Sequence, residues 1–184
     1  MKILKLRRMG DPILRKTAKK LDREEILSDK IQNLIVDMKY TCEKMDYGVG
    51  MSASQVGEPV AISILGIKPT PNRPNLELFE KVLINAEIIE TFGEPEEMWE
   101  GCCSVGGPGS DNLIYGLVLR YKKVRIKYMD EHANEHEEIT EDFVAHVSQH
   151  EIDHLNGVLF TDLADPKSLM MGDEYRKRIL KKED

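Results

Sequence analysis

Two histidines that stand four residues apart carry the strongest chemical signal in the sequence. His150 and His154 enclose Glu151 in an H-E-x-x-H pattern. Residues four apart share one face of a helix, so both imidazoles can bind one metal ion while Glu151 reaches a water on that ion. The alternative, a pair of surface histidines on an amphipathic helix, stays open on this pattern alone.

A catalytic site of this type needs a third protein ligand. Phe160 stands where a metzincin protease would have its third histidine. Glu174 is the candidate carboxylate for a thermolysin-type site, but its charged neighbours indicate a solvated helix face. The remaining candidates are Cys102 and Cys103, in a glycine-flanked loop, and a thiolate with two imidazoles suits a soft or borderline divalent ion.

The other three histidines are weaker candidates for a metal site. His146 lies one turn before His150, but a third residue at this spacing drifts around the helix, so we interpret it as structural or pocket-facing. His132 and His136 lie in a polar segment, residues 130–136, that we interpret as a solvated turn between strands.

Hydrophobic periodicity predicts the elements that must position these residues. Residues 28–45 show helical spacing, with Ser28 as N-cap. Thr140 is the predicted cap of the helix that carries the histidines and runs to Asn156, with Gly157 just past its end. β-branched or alternating runs predict strands. The predicted strands are residues 60–67, 82–89, 117–120 and 124–128.

The order of these elements predicts an α+β fold, because strands fill the first two thirds and helices follow. The length of 184 residues fits one catalytic domain, residues 1–184. A charged C-terminal helix is predicted over about residues 165–184, with Asp165 as cap and Pro166 at its first position.

Charge and composition exclude several classes of protein. The formal net charge of −7, from 26 basic and 33 acidic residues, argues against a general DNA or RNA binder. The longest uncharged run, residues 47–57, and the run that follows it, residues 59–67, are too short to span a bilayer. Three cysteines cannot form an even disulfide framework. We therefore expect a cytoplasmic protein without a membrane partner, although an organellar or viral origin stays open.

Three ordered motifs then carry a resemblance to a known family. They are G-x-G-apolar-A-A-x-Q-V-G over residues 48–57, E-G-C-L-S over residues 100–104, and Q-H-E-x-D-H-L over residues 149–155, preceded by a D-P-x-L-R-like segment over residues 10–15. With these motifs the chain resembles peptide deformylases along nearly its whole length. The resemblance implies antiparallel or mixed sheets packed around a central helix that bears the H-E-x-x-H motif.

The resemblance also implies roles for individual residues. The metal ligands fall on Cys102, His150 and His154, the catalytic carboxylate on Glu151, and the oxyanion-binding amide on Gln55. The backbone N–H of Cys103 is the expected second oxyanion donor. Neighbouring residues of an extended segment point to opposite sides, so we expect only one of the two cysteine side chains to face the metal. The expected ion is Fe(II) in cells, with Zn(II) or Ni(II) as substitutes.

The implied reaction is hydrolysis of the N-formyl group from the initiator methionine of nascent polypeptides, together with a transient contact with the ribosome. We expect the substrate to lie against Val49, Gly50, Gly101, His146 and Val147. The sequence departs from the family pattern near this site. Met51-Ser52 replaces the usual Leu-Ala, Cys103 replaces a leucine, and Gly106 stands where a proline is usual.

Two other functions remain as alternatives. One is a zincin-like metallopeptidase, which the H-E-x-x-H motif alone would permit. The other is an inactive metal-binding relative, against which the intact Glu151 argues because a purely structural site has no use for it.

Overall fold

The computed structural model describes residues 1–45, 48–69 and 73–181. Within these ranges lie four α-helices, eight strands and five short 3-10 helices. The helices are α1 (Arg23–Leu27), α2 (Asp29–Glu43), α3 (Asp142–Leu155) and α4 (Gly172–Arg178). The strands are β1 (Gly50–Ser52), β2 (Ile62–Ile67), β3 (Phe79–Phe92), β4 (Glu96–Gly106), β5 (Leu113–Arg120), β6 (Lys123–Met129), β7 (Glu135–Glu141) and β8 (Met170–Met171). The 3-10 helices are Pro12–Arg15, Ala53–Val56, Ser110–Asn112, Phe160–Asp162 and Pro166–Ser168.

Two antiparallel sheets surround α3. The larger sheet has the strand order β1-β2-β3-β6-β7, and the smaller has the order β4-β5-β8. Apolar side chains of α3 pack against the larger sheet in a cluster that includes Val147, Ile152 and Leu155. The predicted α+β class, with a central helix that bears the H-E-x-x-H motif, is confirmed.

Helix α2 forms where the periodicity predicted it. Ser28 is its N-cap, and the Ser28 hydroxyl accepts a hydrogen bond from the backbone N–H of Ile31. The helix buries Ile31, Ile35 and Met38 against β1 and β2 in a second apolar cluster. The predicted strands at residues 60–67, 82–89, 117–120 and 124–128 correspond to β2, β3, β5 and β6. Part of the connection between β2 and β3, residues 70–72, lies outside the described residues.

The predicted cap of α3 is wrong. Thr140 belongs to β7, where it pairs with Val124, and Glu141 precedes the helix without a side-chain cap bond. The sequence of β7 is rich in Glu and has little apolar alternation, so it lacks the usual signal of a strand. The polar turn is correspondingly shorter than predicted, since His136 already lies in β7 opposite Tyr128. Gly157 does adopt the expected left-handed backbone, with φ of 74°.

The C-terminal helix begins later than predicted. Asp165 caps, and Pro166 opens, a 3-10 helix that ends at Ser168. The chain then forms β8, which pairs with β5, and the charged helix α4 starts only at Gly172. A Cβ atom at Gly172 would lie 2.0 Å from the carbonyl oxygen of Ser110. The helix can therefore start this close to the backbone of Ser110 only with glycine at this position. Residues 182–184 lie outside the described part of the chain.

The loop predicted around the two cysteines is part of a strand. Residues Glu96–Gly106 form β4 and pair with β5, with an irregular register between Gly101 and Gly106. In this stretch five steps along β4 correspond to two along β5, so β4 bulges here and its side chains do not follow simple alternation. This bulge carries both cysteines into the site.

Candidate metal centre

Three potential metal ligands, contributed by two elements, lie close together. Cys102 comes from β4, and His150 and His154 come from α3. One ligand atom from each lies within 4.8 Å of the others, and Cys102 Sγ is 3.3 Å from His154 Nε2. The α-helix aligns the two imidazoles because their spacing is four residues. A thiolate and two imidazoles so arranged fit a single soft or borderline divalent ion with one coordination position left open.

Neither of the other two positions considered for a third ligand supplies one in the described structure. Phe160 is buried in an apolar cluster with Leu14 and Val105. Glu174, on α4, accepts a hydrogen bond from Arg178 four residues later, as expected for a solvated helix face. Neither the metzincin nor the thermolysin arrangement is therefore present.

The pKa shifts of His154 and Cys102 are compatible with metal binding. Burial lowers the pKa of His154 well below its usual value, which keeps the ring neutral, the form that binds metals. A hydrogen bond to Cys103 and burial both raise the pKa of the Cys102 thiol. A Cys102 thiolate therefore needs a cation beside it, which a metal ion would provide.

Glu100 orients the first of the two histidines. Its Oε2 atom lies 2.8 Å from His150 Nδ1, so His150 Nε2 is left to face the metal position. Its Oε1 atom lies 2.9 Å from His146 Nε2, which explains why His146, although pocket-facing, does not join the ligand cluster. Burial alone would raise the pKa of Glu100, but hydrogen bonds from His146, His150 and Arg120 outweigh it and hold that pKa below its usual range.

A buried arginine completes this supporting network. Arg120 Nε lies 2.6 Å from Glu100 Oε1, and Arg120 Nη1 lies 2.6 Å from Asp153 Oδ2. Arg120 thus links β5, β4 and α3. The sequence prediction did not assign a role to Glu100 or Asp153. Both lie inside motifs of the family, Glu100 in residues 100–104 and Asp153 in residues 149–155, and this position could have indicated a role near the metal.

The carboxylate of Glu151 is buried beside the ligand cluster. Its Oε2 atom lies 2.7 Å from the Ser52 hydroxyl oxygen. Burial raises the pKa of Glu151, and the charge of His150 and the hydrogen bond from Ser52 only partly oppose this effect. A carboxyl group with a raised pKa takes up a proton more readily than an exposed one, as a residue that acts first as base and then as acid requires.

Gln55 also lies beside the ligand cluster. Its Nε2 atom is 3.3 Å from Cys102 Sγ, 3.2 Å from Cys103 Sγ and 3.2 Å from Ser104 Oγ. Its Oε1 atom accepts a hydrogen bond of 2.7 Å from the Ser52 backbone N–H, which fixes the direction of the amide.

The expectation that the two cysteine side chains point to opposite sides is wrong. Both sulfur atoms lie within hydrogen-bonding distance of the same Gln55 amide nitrogen. The bulge in β4 is the reason, because it breaks the alternation that a regular strand would impose. Only Cys102, however, belongs to the cluster of candidate ligands with His150 and His154 among the described residues.

A cleft of about 810 Å³ opens in front of these groups. All five predicted substrate-binding residues line it, and so do the candidate ligands Cys102 and His150. Gly50 is the first residue of β1, which is an edge strand of the larger sheet, and Val49 directly precedes it. The sequence prediction missed another part of the cleft lining, where the rings of Tyr115 and Tyr175 stack with centroids 4.1 Å apart. Tyr175 comes from α4, so only the packing of that helix reveals it.

The described part of the chain has no helix that combines the length and the apolar composition needed to cross a bilayer.

Comparisons with known proteins agree with this site. A family model described as polypeptide deformylase matches residues 3–169. Peptide deformylase 2 of Nostoc sp. is 35% identical over 181 residues, which cover 97% of this chain and 96% of that protein. A peptide deformylase of Leptospira biflexa is 37% identical over 169 residues, which cover 88% of each chain.

Solved structures show the same relationship. The class I type b peptide deformylase of Acinetobacter baumannii, bound to Met-Ala-Ser, has a TM-score of 0.78 at 31% identity and covers 88% of this chain and 98% of its own. A peptide deformylase of Synechococcus elongatus in complex with actinonin has a TM-score of 0.74 at 34% identity and covers 89% of this chain and 80% of its own. The chain therefore belongs to the peptide deformylase family, the metal-dependent hydrolases that remove the formyl group from nascent polypeptides.

Proposed function

We propose that this chain hydrolyses the formyl group of N-formylmethionyl peptides at a divalent metal ion held by Cys102, His150 and His154. The observation that carries this proposal is the convergence of these three ligands within 4.8 Å, with the buried carboxylate of Glu151 next to them. Residues 1–184 would act as one catalytic domain.

The ion would be Fe(II) in cells, with Zn(II) or Ni(II) as substitutes, because one thiolate and two imidazoles suit any of the three. When bound, the ion supplies Lewis acidity, which polarises the formyl oxygen and makes a water more acidic. The thiolate donates charge to the ion and weakens this effect, so the protein must supply a base as well.

Glu151 is the proposed base and acid. Its carboxylate takes a proton from the attacking water and then delivers a proton to the departing amine. The raised pKa of Glu151 supports both steps, since the group must hold the proton between them.

Two donors are proposed for the oxyanion that develops during the attack. One is the carboxamide of Gln55, whose direction is fixed by its bond from the Ser52 backbone. The other is the backbone N–H of Cys103, which the replacement of leucine by cysteine leaves in place. Loss of one such donor typically costs about 3 kcal/mol of transition-state stabilisation.

The peptide is proposed to lie in the cleft, extended along the free edge of β1. An edge strand can pair with an extended peptide through backbone hydrogen bonds, and Gly50 and Gly101 line this path. His146 and Val147 would contact the methionine side chain. The relative from Acinetobacter baumannii binds Met-Ala-Ser, the product expected from a formylated tripeptide. Action in the cytoplasm and a transient contact with the ribosome follow as further parts of this proposal.

The test is formate release from formyl-Met-Ala-Ser by enzyme loaded anaerobically with Fe(II) or Ni(II). We expect formate release by the wild-type chain and no cleavage of unblocked Met-Ala-Ser, which a peptidase would hydrolyse. Cleavage of the unblocked peptide without formate release would refute the proposal.

We further predict that Glu151→Gln keeps the metal but loses at least about a hundredfold in turnover, because the amide cannot carry the proton. The measurement is formate release together with metal content per chain. More than about a tenth of wild-type turnover in the variant would exclude this role for Glu151.

A further inference from the structure

Two buried serines form a line of hydroxyl groups that ends on Glu151. Ser52 of β1 and Ser63 of β2 are directly opposite each other in the antiparallel register. Their hydroxyl oxygens are 2.7 Å apart, and the Ser52 hydroxyl oxygen is also 2.7 Å from Glu151 Oε2. All three side chains are buried, so bulk water does not compete for these contacts.

The direction of these hydrogen bonds follows from the chemistry of the groups. Each serine has one hydroxyl hydrogen, and an ionised carboxylate can only accept. Ser52 therefore donates to Glu151 Oε2, and Ser63 can donate to the Ser52 oxygen. A hydrogen bond to a charged acceptor is stronger than one between neutral groups, so Ser52 is firmly coupled to the carboxylate.

The same face of β1 confines the other carboxylate oxygen. Gly50 and Ser52 are two residues apart and so lie on one face of the strand. A Cβ atom at Gly50 would lie 2.5 Å from Glu151 Oε1, so this oxygen sits directly against the glycine backbone. Glu151 is thus held by a donor at one oxygen and by steric contact at the other.

We propose that Ser52 is a positioning residue of the hydrolytic reaction, which holds the Glu151 carboxylate in one orientation toward the cleft. This inference rests on the proposed role of Glu151 as the proton carrier. In the family that the chain resembles, the usual residue at the position of Ser52 is alanine, so the hydroxyl is a feature of this chain and not a general requirement of the fold.

The serine pair can keep Glu151 in place through the whole reaction. Hydroxyl hydrogens rotate, so the Ser52 oxygen can accept from Glu151 once the carboxyl group holds the proton. The Ser52 hydroxyl then donates to the Glu151 backbone carbonyl oxygen, 3.1 Å away. No heavy atom has to move between the two arrangements.

The experiment compares Ser52→Ala with Ser54→Ala. Ser54 is also buried and lies two residues away, but its hydroxyl has no hydrogen-bond partner among the described residues, so it controls for the loss of a buried hydroxyl. Ser52→Ala should fold because alanine is the usual family residue at this position, and Ser54→Ala should fold because it removes a hydroxyl group without a hydrogen-bond partner. The measurements are kcat and KM for formyl-Met-Ala-Ser, metal content, and a crystal structure of each variant.

We expect kcat of Ser52→Ala to fall about tenfold, as for the loss of one hydrogen bond to a charged group. KM and metal content should stay at the wild-type values, because no ligand and no cleft surface changes. In the crystal structure, the Glu151 carboxylate should leave its wild-type position or occupy several rotamers. Ser54→Ala should match the wild type in all respects.

Equal kcat values for the two variants would overturn the proposal, and so would a single, unchanged Glu151 rotamer in Ser52→Ala. A loss of metal or a parallel rise in KM would also overturn it, because it would indicate a general structural role. If the wild-type chain itself releases no formate, the proposed function fails, while the Glu151 rotamer still decides whether Ser52 positions that side chain.

Discussion

At the scale of single residues, the adjacent cysteines are the least usual feature of the site. Both are buried, and both sulfur atoms lie within hydrogen-bonding distance of the Gln55 amide nitrogen. They differ in their distance to the histidines, since only Cys102 clusters with His150 and His154 within the described chain. The choice of metal ligand therefore depends on geometry and not on residue type.

This geometry predicts different effects for two matched truncations. Cys102→Ala should release the metal or weaken its binding strongly, because one of three protein ligands is lost. Cys103→Ala should keep the metal, since it removes a neighbour and not a ligand. The metal content per chain of each variant, determined after removal of free ions, measures these two effects. Retention by Cys102→Ala with loss by Cys103→Ala would reverse the assignment.

Among the secondary-structure elements, the junction between β7 and α3 differs from the sequence-based prediction, which made Thr140 the N-cap of α3. As an N-cap, Thr140 would stabilise α3, and its loss would cost about 1 kcal/mol. In the structure the Thr140 hydroxyl is buried without a hydrogen-bond partner among the described residues.

We therefore predict that Thr140→Val leaves the free energy of unfolding unchanged or raises it, by up to about 1 kcal/mol. The substitution keeps the shape and removes an unsatisfied buried hydroxyl. Urea unfolding of variant and wild type measures the difference. A loss of about 1 kcal/mol or more would restore the capping role.

The turn between β6 and β7 contains a carboxylate, Asp130, whose contribution to stability should depend on pH. Asp130 accepts hydrogen bonds from the backbone N–H groups of His132 and Asn134 and lies 2.8 Å from His136 Nε2. Burial alone would raise the pKa of Asp130, but these hydrogen bonds hold it below its usual value. A carboxylate with a lowered pKa adds stability above the pKa of the unfolded chain, about 3.9, and loses it as the pH falls further.

Asp130→Asn should therefore be less stable than the wild type at pH 5, by about 1 kcal/mol. The difference should shrink when the pH is lowered to 3. Urea unfolding at the two values measures this change. A difference that grows on acidification would contradict the assigned direction of the pKa shift.

For the protein as a whole, the candidate metal site lies where the smaller sheet meets the helix that packs against the larger one. Cys102 lies on β4 of the smaller sheet, and the histidines lie on α3, which packs against the larger one. A ligand that binds only the folded state stabilises it, by about 2.7 kcal/mol when its concentration is a hundred times Kd.

We predict that a chelator lowers the melting temperature of the metal-loaded chain by about 5 to 10 °C. The control is Cys102→Ala, which should melt at the same temperature with or without the chelator. Thermal unfolding monitored by circular dichroism measures both. An equal effect on the variant would show that the stabilising ion binds elsewhere.

The family and the part of the site that is local along the chain could be predicted from the sequence. The spacing of His150 and His154 places both on one face of α3, and the three motifs identify Glu151, Gln55 and Cys102 as candidates. The same local signals predicted α2 with its Ser28 cap and the positions of four strands. Periodicity and capping succeed here because they depend on residues within one or two helical turns.

Contacts between groups that are distant along the chain could be learned only from the folded protein. Two sets of contacts join residues from separate elements: the link from Arg120 to Glu100 and Asp153, and the hydrogen bonds from Ser63 through Ser52 to Glu151. The bulge of β4 likewise depends on how this strand pairs with β5. No local pattern encodes such contacts, because they depend on strand register and on how a helix packs against two sheets. The strand β7 was missed for the same reason: its Glu-rich sequence forms a strand through pairing with β6 and not through its own preference.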